Sequence, residues 1–201
     1  MKIVLATTNA GKVRELSNMM SKANLDITVS GLMDYPDYRA PEENGATFGE
    51  NARIKAVTAA ETLGEVVLAD DSGLCVDALD GAPGVYSARF AGEAHDDNAN
   101  IEKLLSCLKD VPDGKRQARF VCALCLAFPT GDFFMAEGDC CGSIARERRG
   151  KFGFGYDPIF LLPDGRMMAE LDGMEKNLIS HRGAAYSLVM PQLRALVKAP
   201  K

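Results

Sequence analysis

The chain has 201 residues, of which 47% are hydrophobic and 25% are charged, as is typical of a folded globular protein. Its 23 basic and 28 acidic residues give a net charge of −5, which disfavours a protein that coats nucleic acid but allows a local basic pocket for a small polyanion. We expect no signal peptide, because the short apolar run at the N-terminus has no small-residue cleavage site. We also expect no membrane span, because the longest apolar run, residues 120–128, is far shorter than the about 20 residues that a bilayer requires.

A first buried strand is predicted over residues 2–6, followed by a polar turn and a helix over about residues 12–21. Unpaired backbone N–H groups at a helix N-terminus attract phosphate oxygens, and a lysine adds a full positive charge. The alternative is an ordinary strand-to-helix turn with a solvated lysine, since the Walker P-loop spacing is absent. The candidate phosphate donors are Thr7, Thr8, Asn9, Ala10, Gly11 and Lys12.

A second strand is predicted over residues 25–29, and it is followed by an irregular stretch that contains the acidic pair Glu42–Glu43. Thr47 and the Glu50 that follows it form a capping box, which predicts a helix that runs to about residue 63. Gly64 is suited to end this helix. The acidic pair therefore lies in a loop just before a well-delimited helix.

A third strand, over residues 66–69, is predicted to end on the sequence Asp-Asp-Ser-Gly at residues 70–73. Ligands of α/β sheets gather outside the carboxyl ends of strands, and Mg²⁺ takes one or two carboxylates together with substrate phosphates. Because adjacent carboxylates on a strand diverge, we expect one to bind metal or orient water and the scaffold to hold the other. Glu42 or Glu43 would supply a second acid, and an ordinary Asp-rich turn is the alternative.

The central part of the chain predicts a helix and then two long strands. The helix is expected over about residues 96–108, with Asp96 or Asp97 as its cap. The strands, over residues 119–128 and 133–144, flank a Pro-Thr-Gly-Asp turn and predict a hairpin. Because strand–helix units are combined with an antiparallel hairpin, the sequence predicts an α/β fold with a mixed sheet.

Six cysteines raise the question of disulfide bonds or a metal site. Cys122 and Cys125 form a CxxC pattern inside a predicted buried strand, where residues three apart point to opposite faces and cannot grip one metal ion together. We therefore expect reduced, mostly buried thiols and a cytoplasmic protein.

Two stretches rich in turn-forming residues, 81–92 and 150–158, are predicted to be irregular. The second alternates aromatic residues with glycine, and a purine base stacks on an aromatic face with about 1–3 kcal/mol. The alternative is a bend whose aromatic rings fill the core. The candidate base contacts are Phe154, Gly155, Tyr156 and Asp157.

The last helix is predicted over about residues 180–197, and Pro191 is expected to kink or split it. Lys176, His181 and Arg182 place cationic and polar donors near the positive end of this helix. A solvated basic cap is the alternative for these residues. Taken with the upstream motifs, they complete a set suited to a nucleoside triphosphate: phosphate donors, metal carboxylates, an aromatic shelf and donors for a base edge.

Five segments of the chain resemble the inosine triphosphate pyrophosphatase family, the non-standard purine NTP pyrophosphatases. They read LATTNAGKVREL, ENARIKA, LADDSGLCVDALDGAPGVYSARFAG, FGFGYDPIF and EKNLISHRGAA. They extend from Leu5 to Ala185, so the resemblance covers essentially the whole chain.

The resemblance implies a single nucleoside triphosphate pyrophosphatase domain over residues 1–201, an α/β fold of two lobes with a central mixed sheet flanked by helices and an active site in the cleft between the lobes. It also implies a homodimer that needs Mg²⁺ and hydrolyses ITP, dITP and XTP to the monophosphate and pyrophosphate. Asp71 is implied as general base and metal ligand, with Glu43, or else Glu42, as second metal ligand. The implied substrate contacts are Thr7, Thr8, Asn9, Ala10, Gly11, Lys12, Ser72, Phe154, Gly155, Tyr156, Asp157, Lys176, His181 and Arg182.

A free nucleotide is therefore the predicted partner, rather than a nucleic acid or a membrane. We expect Arg182 and neighbouring N–H groups to bind the 6-oxo acceptor of the purine, where ATP presents a donor; such mismatches reach about 10⁴–10⁵-fold in discrimination. Two alternatives stay open. One is a Maf-type pyrophosphatase that acts on other nucleotides, and the other is a nucleotide-sensing module that binds without hydrolysis.

Overall fold

A computed structural model describes residues 1–198 of the chain. Within this range it contains five α-helices and six β-strands. The helices are α1 (Ala10–Lys22), α2 (Phe48–Leu63), α3 (Asp97–Cys107), α4 (Gly173–Ile179) and α5 (His181–Lys198). The strands are β1 (Lys2–Leu5), β2 (Thr28–Gly31), β3 (Val67–Val76), β4 (Gln117–Ala127), β5 (Phe133–Ile144) and β6 (Phe160–Leu161).

The strands of residues 1–198 form one mixed sheet in the order β2-β1-β3-β4-β5-β6. β1 pairs in parallel with both β2 and β3, as crossover connections through a helix require. β5 and β6 pair in the antiparallel sense. β4 and β5 are neighbours joined by a short turn, in which the Phe128 N–H donates to the Asp132 carbonyl at 2.9 Å. The predicted α/β fold with a mixed sheet is therefore confirmed.

The chain divides into two compact units, each assembled from segments that are distant in the sequence. The first unit comprises Met1–Asp71, Ala123–Glu137 and the described residues of Ala185–Lys201. The second comprises Ser72–Cys122 and Gly138–Ala184. Strands β3, β4 and β5 each begin in one unit and end in the other. A single catalytic domain over residues 1–201 stays a prediction.

The core of the first unit contains a row of small side chains on helix α2. Ala52, Ala56, Ala59 and Ala60 of α2 are all fully buried. Their spacing places them on one face of the helix, and β1 beyond Lys2 is also buried. Because alanine adds so little volume, the backbone of α2 can lie close to its neighbours.

The core of the second unit is built from large aliphatic and aromatic side chains. Ile101 and Leu104 of α3 pack in one cluster with Phe120 of β4 and Phe160 of β6. The rings of Phe120 and Phe160 are tilted by 42°, with centroids 4.5 Å apart. Such aromatic pairs add about 0.5–1.5 kcal/mol to the free energy gained from burial.

Arg116 is a buried charge in this second unit, with 2% of its surface exposed. Its guanidinium donates to the carbonyls of Leu108, Ile144 and Ala145 at 2.6, 2.7 and 3.2 Å. The Leu108 carbonyl lies at the C-terminus of α3, where the helix dipole favours a positive charge. Arg116 therefore joins the end of this helix to the end of β5.

Several predicted helix boundaries are confirmed by their hydrogen bonds. Thr47 Oγ1 accepts from the Glu50 N–H at 3.1 Å, and the Glu50 carboxylate accepts from the Thr47 N–H at 3.2 Å. Gly64 ends α2 in the left-handed conformation, with φ of 66°. Asp96 caps α3, and Asp97 is the first residue of that helix.

Other predicted boundaries are wrong or incomplete. β2 begins at Thr28, since the Leu25 N–H still bonds to the Met20 carbonyl at the end of α1. β3 does not end before the Asp-Asp-Ser-Gly sequence at residues 70–73 but runs through it to Val76. Helix α4 was not predicted, although Asp172 and Glu175 form a capping box at its start. Pro191 lies within α5, which is not split there.

The described residues include all six cysteines, and each has a free thiol. Cys122, Cys125 and Cys140 are buried, Cys75 is partly buried, and Cys107 and Cys141 are exposed. The prediction of mostly buried thiols therefore holds for Cys122, Cys125 and Cys140 and is wrong for Cys107 and Cys141. Among residues 1–198, no helix has both the length and the apolar character needed to cross a membrane.

Candidate active site

Strand β3 presents its two adjacent carboxylates to different helices of the first unit. Asp70 is buried, and its two oxygens accept hydrogen bonds from Lys12 Nζ of α1 at 2.9 and 3.1 Å. Asp71 accepts instead from Lys55 Nζ of α2 at 3.1 Å. Successive strand side chains point to opposite faces, and each of these carboxylates has a lysine partner from a different helix. The separate partners agree with the divergence predicted from the sequence.

Asp71 belongs to a group that we call the carboxylate–lysine cluster, formed by Glu43, Lys55 and Asp71. Lys55 Nζ donates to Glu43 Oε2 at 3.0 Å as well as to Asp71. Asn51, one turn before Lys55 on α2, donates from Nδ2 to Asp71 Oδ2 at 3.3 Å. The other end of the Asn51 amide accepts from the Gly45 N–H at 2.8 Å, so this buried side chain fixes both the carboxylate and the loop that carries Glu43.

The cluster changes the acidity of its members. Burial raises the pKa of Asp71 above the ordinary carboxyl value, Lys55 opposes this rise and Glu43 adds to it. Burial alone would lower the pKa of Lys55, but Asp71 and Glu43 outweigh it and the pKa is raised. Asp71 is therefore a more basic carboxylate than an exposed one, beside a lysine that keeps its proton. Such a carboxylate is suited to accept a proton from water.

A concave pocket, which we call the polar pocket, lies within the first unit beside this cluster. Positive, negative and hydroxyl-bearing side chains line it, so an anion bound there would meet two ammonium groups. The residues that give the pocket this character are Thr7, Thr8, Lys12, Glu43, Lys55 and Asp70.

Backbone N–H groups at the N-terminus of α1 are hydrogen-bonded to the N-cap residue of the helix. Asn9 Oδ1 accepts from the Gly11 and Lys12 N–H groups at 2.8 and 3.3 Å, and Thr7 Oγ1 accepts from the Asn9 N–H at 3.1 Å. Two N–H groups that the sequence offered to phosphate are therefore already bonded. Thr7, Thr8 and Lys12 line the polar pocket, so the side chains are the better placed part of the predicted phosphate site.

A second concave pocket, the aromatic pocket, lies wholly within the second unit. Its walls combine rings with a few polar groups, which is typical of small-molecule sites. The lining includes Phe120, Phe154, Tyr156, Asp157, His181 and Arg182. The residues that were predicted to contact a base are thus brought together in one place.

The loop over residues 152–157 is held by Asp157. The buried Asp157 carboxylate accepts from the Phe154 N–H at 2.9 Å and forms an ion pair with Lys176 of α4. Lys176 Nζ also lies 4.9 Å from the centroid of the Phe154 ring. Gly153 has φ of 79°, and a Cβ there would lie 2.0 Å from Asp157 Oδ2, so the loop conformation requires glycine at this position.

The junction of α4 and α5 carries the last predicted group. Ser180 lies between the helices, and its hydroxyl accepts a backbone N–H of the first turn of α5 at 3.1 Å. His181 is buried and stacks on Phe120, with centroids 4.9 Å apart. Arg182 Nη2 donates to Ser72 Oγ on β3 at 3.4 Å. Arg182 therefore contacts β3 and His181 contacts β4, both within the second unit.

The sequence predictions missed two residues that contact Asp71. Asn51 and Lys55 contact Asp71, yet no role was assigned to them. The signal was their four-residue spacing on α2, inside the segment ENARIKA, which puts both on one helix face. Between the two acids of the loop, Glu43 contacts Lys55, whereas Glu42 is exposed.

Known proteins resemble this chain along nearly its whole length. The model of the Ham1 family matches residues 3–192. The dITP/XTP pyrophosphatase of Desulforamulus reducens is 52% identical over 197 residues, which is 98% of this chain and 97% of that protein.

Two solved structures are similar to the fold. The Ham1 protein of Staphylococcus aureus superimposes with a TM-score of 0.89 at 42% identity, over 97% of this chain and 99% of that one. A HAM1 protein from Coxiella burnetii gives the same TM-score and identity, over 99% and 100% of the two chains. Because the family model spans nearly the whole sequence and its members share the fold, this chain belongs to the Ham1 family.

Proposed function

We propose that this protein hydrolyses non-standard purine nucleoside triphosphates, namely ITP, dITP and XTP, to the monophosphate and pyrophosphate. The observation that carries the proposal is the carboxylate–lysine cluster, in which a partly buried and basic Asp71 is held by Lys55 and Asn51. Two dITP/XTP pyrophosphatases, each 52% identical to this chain over more than nine-tenths of its length, support the same activity.

Asp71 is proposed as the general base. It takes a proton from a water molecule whose oxygen attacks the α-phosphorus, and the bond from that phosphorus to the bridging oxygen breaks as pyrophosphate leaves with the electron pair. Lys55 keeps Asp71 oriented through its hydrogen bond. Lys12, which lines the polar pocket, is proposed to stabilise the charge that develops on the leaving pyrophosphate.

The residues present fit a magnesium ion with few protein ligands. Glu43 and Asp71 each place a carboxylate oxygen within about 3 Å of one cationic group, Lys55 Nζ, which supports them as the acids that would hold the metal. The described residues contain no group of three or more His, Cys, Asp or Glu side chains arranged for a metal, so water and phosphate oxygens would complete the shell, as Mg²⁺ prefers. When bound, Mg²⁺ would neutralise phosphate oxygens.

The aromatic pocket is proposed to bind the purine. Phe154 exposes 63% of its surface and offers a ring face, and Lys176 and Asp157 hold the loop that carries it. Arg182 lines the same pocket and donates a hydrogen bond to Ser72. It is proposed to donate to the 6-oxo group of the base. ATP presents a donor at that edge, so it would face donor against donor.

The deciding experiment is a substrate panel. ITP, dITP, XTP, GTP, ATP and pyrimidine triphosphates are incubated with the protein, with Mg²⁺ or with EDTA, while monophosphate and pyrophosphate are quantified. We expect kcat/KM for ITP and XTP to exceed that for ATP by at least about 10²-fold, and release of pyrophosphate to stop in EDTA. Equal rates on all purines would reject the proposed specificity. Preference for pyrimidines would favour a Maf-type enzyme, and binding without hydrolysis a sensor.

Two further properties are proposed, the first of them from the family resemblance. One is a homodimer, which light scattering after size-exclusion chromatography measures directly. The other is a cytoplasmic location, which is supported by the exposed free thiols of Cys107 and Cys141, since such thiols persist in a reducing compartment.

A further inference from the structure

The loop over residues 152–157 has to hold a defined shape if Phe154 is to meet a base. Gly153 and Gly155 both adopt positive φ, 79° and 58°, and glycine loses more conformational entropy on ordering than other residues. The Phe154 ring between them is mostly exposed and is not fixed by core packing. The affinity of this loop for a flat ligand therefore depends on what anchors its backbone.

The loop is anchored at successive residues. Asp157 accepts from the Phe154 N–H at 2.9 Å. The Tyr156 hydroxyl donates to the Ser87 carbonyl at 2.8 Å, and burial raises the Tyr156 pKa, so it stays a donor. At Gly155 the anchor comes from a different element, because the Gly155 N–H donates to Asp97 Oδ2 of α3 at 2.7 Å.

Asp97 is available for this contact because its neighbour closes the helix. Asp96 accepts from the Asn98 and Ala99 N–H groups at 2.8 and 3.2 Å and is the N-cap of α3. Asp97, the first helical residue, instead contacts a loop 58 residues further along the chain and lines the aromatic pocket. The two adjacent carboxylates therefore do different things: one stabilises the helix and the other holds the loop.

We propose that Asp97 is a positioning residue for purine recognition, acting through the backbone of Gly155. The proposal rests on the proposed function, since it names a residue that sets the affinity of the same site for its base. Asp97 belongs to the second unit, whereas the carboxylate–lysine cluster belongs to the first. Its removal should therefore weaken binding of the base and leave the chemical step nearly unchanged.

The test compares Asp97→Ala with Asp96→Ala, which remove neighbouring exposed carboxylates. In Asp97→Ala we expect KM for ITP and Kd for inosine monophosphate to rise about tenfold, with kcat changed less than about twofold, because one charge-assisted hydrogen bond is lost. Asp97→Asn should recover most of the affinity, since an amide oxygen still accepts from the Gly155 N–H. Asp96→Ala should lower the thermal midpoint through loss of the cap and leave KM unchanged.

Unchanged KM and Kd in Asp97→Ala, or an equal loss of affinity in Asp96→Ala, would overturn the positioning role. Hydrolysis of ITP and binding of inosine monophosphate are measured separately, so a failure of one proposal can be told from a failure of the other. A wild-type protein that binds inosine monophosphate without hydrolysing ITP would refute the proposed function, and the Kd comparison would still decide the role of Asp97. A wild-type protein that binds neither nucleotide would overturn both.

Discussion

The polar pocket of the first unit and the aromatic pocket of the second use their charged side chains in different ways. In the polar pocket, Lys12 is paired with Asp70 and Lys55 with Glu43, and all four residues line the cavity itself. In the aromatic pocket, the ion pair of Lys176 and Asp157 holds a loop and sets a ring face. In the proposed function, the charged groups of the first unit take part in the reaction, whereas this ion pair of the second unit positions a loop.

The ion pairs of β3 carry a free-energy cost. Burying an ion pair removes both charges from water, and the attraction between them often fails to repay that penalty. Asp70 and Asp71 sit in a central strand, where carboxylates are unfavourable. Their retention there, each beside a lysine from a different helix, is consistent with a site whose function needs fixed charges. If so, variants in the two pockets should affect different kinetic constants.

The largest effect is expected from Asp71→Asn. It removes the proposed general base but keeps the size of the side chain, so kcat for ITP should fall by about 10²-fold or more while KM changes little. Steady-state kinetics measures both constants, and thermal unfolding checks the fold. Asp110→Asn, at an exposed position, is the matched control. A kcat near that of the wild type would remove Asp71 from the mechanism.

Arg116→Met tests whether the second unit uses its buried charge for the fold instead of the reaction. The variant leaves the carbonyls of Leu108 and Ile144 without their donor, and the free energy of unfolding should fall by about 2 kcal/mol. Urea denaturation provides this value, with the ITP kinetics unchanged. Arg146→Met, which loses an exposed ion pair with Asp113, should cost less than about 1 kcal/mol. Equal losses in both variants would contradict a special role for Arg116.

Phe154→Ala tests recognition in the aromatic pocket. Loss of one stacking face should raise KM for ITP about tenfold with little change in kcat, the opposite pattern to Asp71→Asn. Phe152→Ala is the control, because Phe152 is also partly exposed and lies two residues away. A fall in kcat alone would break the division of labour between the pockets.

The smallest effect is a pH dependence that both units share. Burial raises the pKa of Cys125 in the first unit to about 12 and that of Cys140 in the second to about 11. In the unfolded chain both thiols lose their protons near pH 8.5, so above that value the unfolded state binds fewer protons and stability falls as the pH rises.

Between pH 8.5 and 9.5 this loss should amount to about 1 kcal/mol for each thiol. Urea denaturation at both pH values measures it, and the double variant Cys125→Ala, Cys140→Ala should show a shallower decline. Cys107→Ala, which removes an exposed thiol, should leave the decline unchanged. An identical slope in all three proteins would contradict the raised pKa values.

Much of the fold was predictable because its signals are local. The capping box of Thr47 and Glu50 and the glycine that follows α2 give the bounds of that helix. Strand β5 was predicted with its observed ends. In contrast, β3 was predicted to stop at Asp70, since aspartate and glycine are poor strand residues. The lysines of α1 and α2 neutralise its carboxylates, and a local pattern contains no information about them.

In the candidate site, too, only the residues with a local sequence signal were predicted. Residues in recognisable segments, such as Lys12, Asp71 and Arg182, were predicted from residue type and resemblance. Asn51 and Asp97 were not, because an amide or carboxylate on a helix has no distinctive signal until the fold shows what it contacts. Their partners lie 20 and 58 residues away.

By itself the sequence determined the chemical inventory of this protein: an acidic chain with a few cations, adjacent carboxylates, and aromatic residues spaced by glycine. Its α/β class followed from hydrophobic periodicity, which is a local property. Only the tertiary structure decided which lysine pairs with which carboxylate, and that Asp96 caps a helix while Asp97 holds a loop. Those choices depend on contacts between distant segments, and packing determines them.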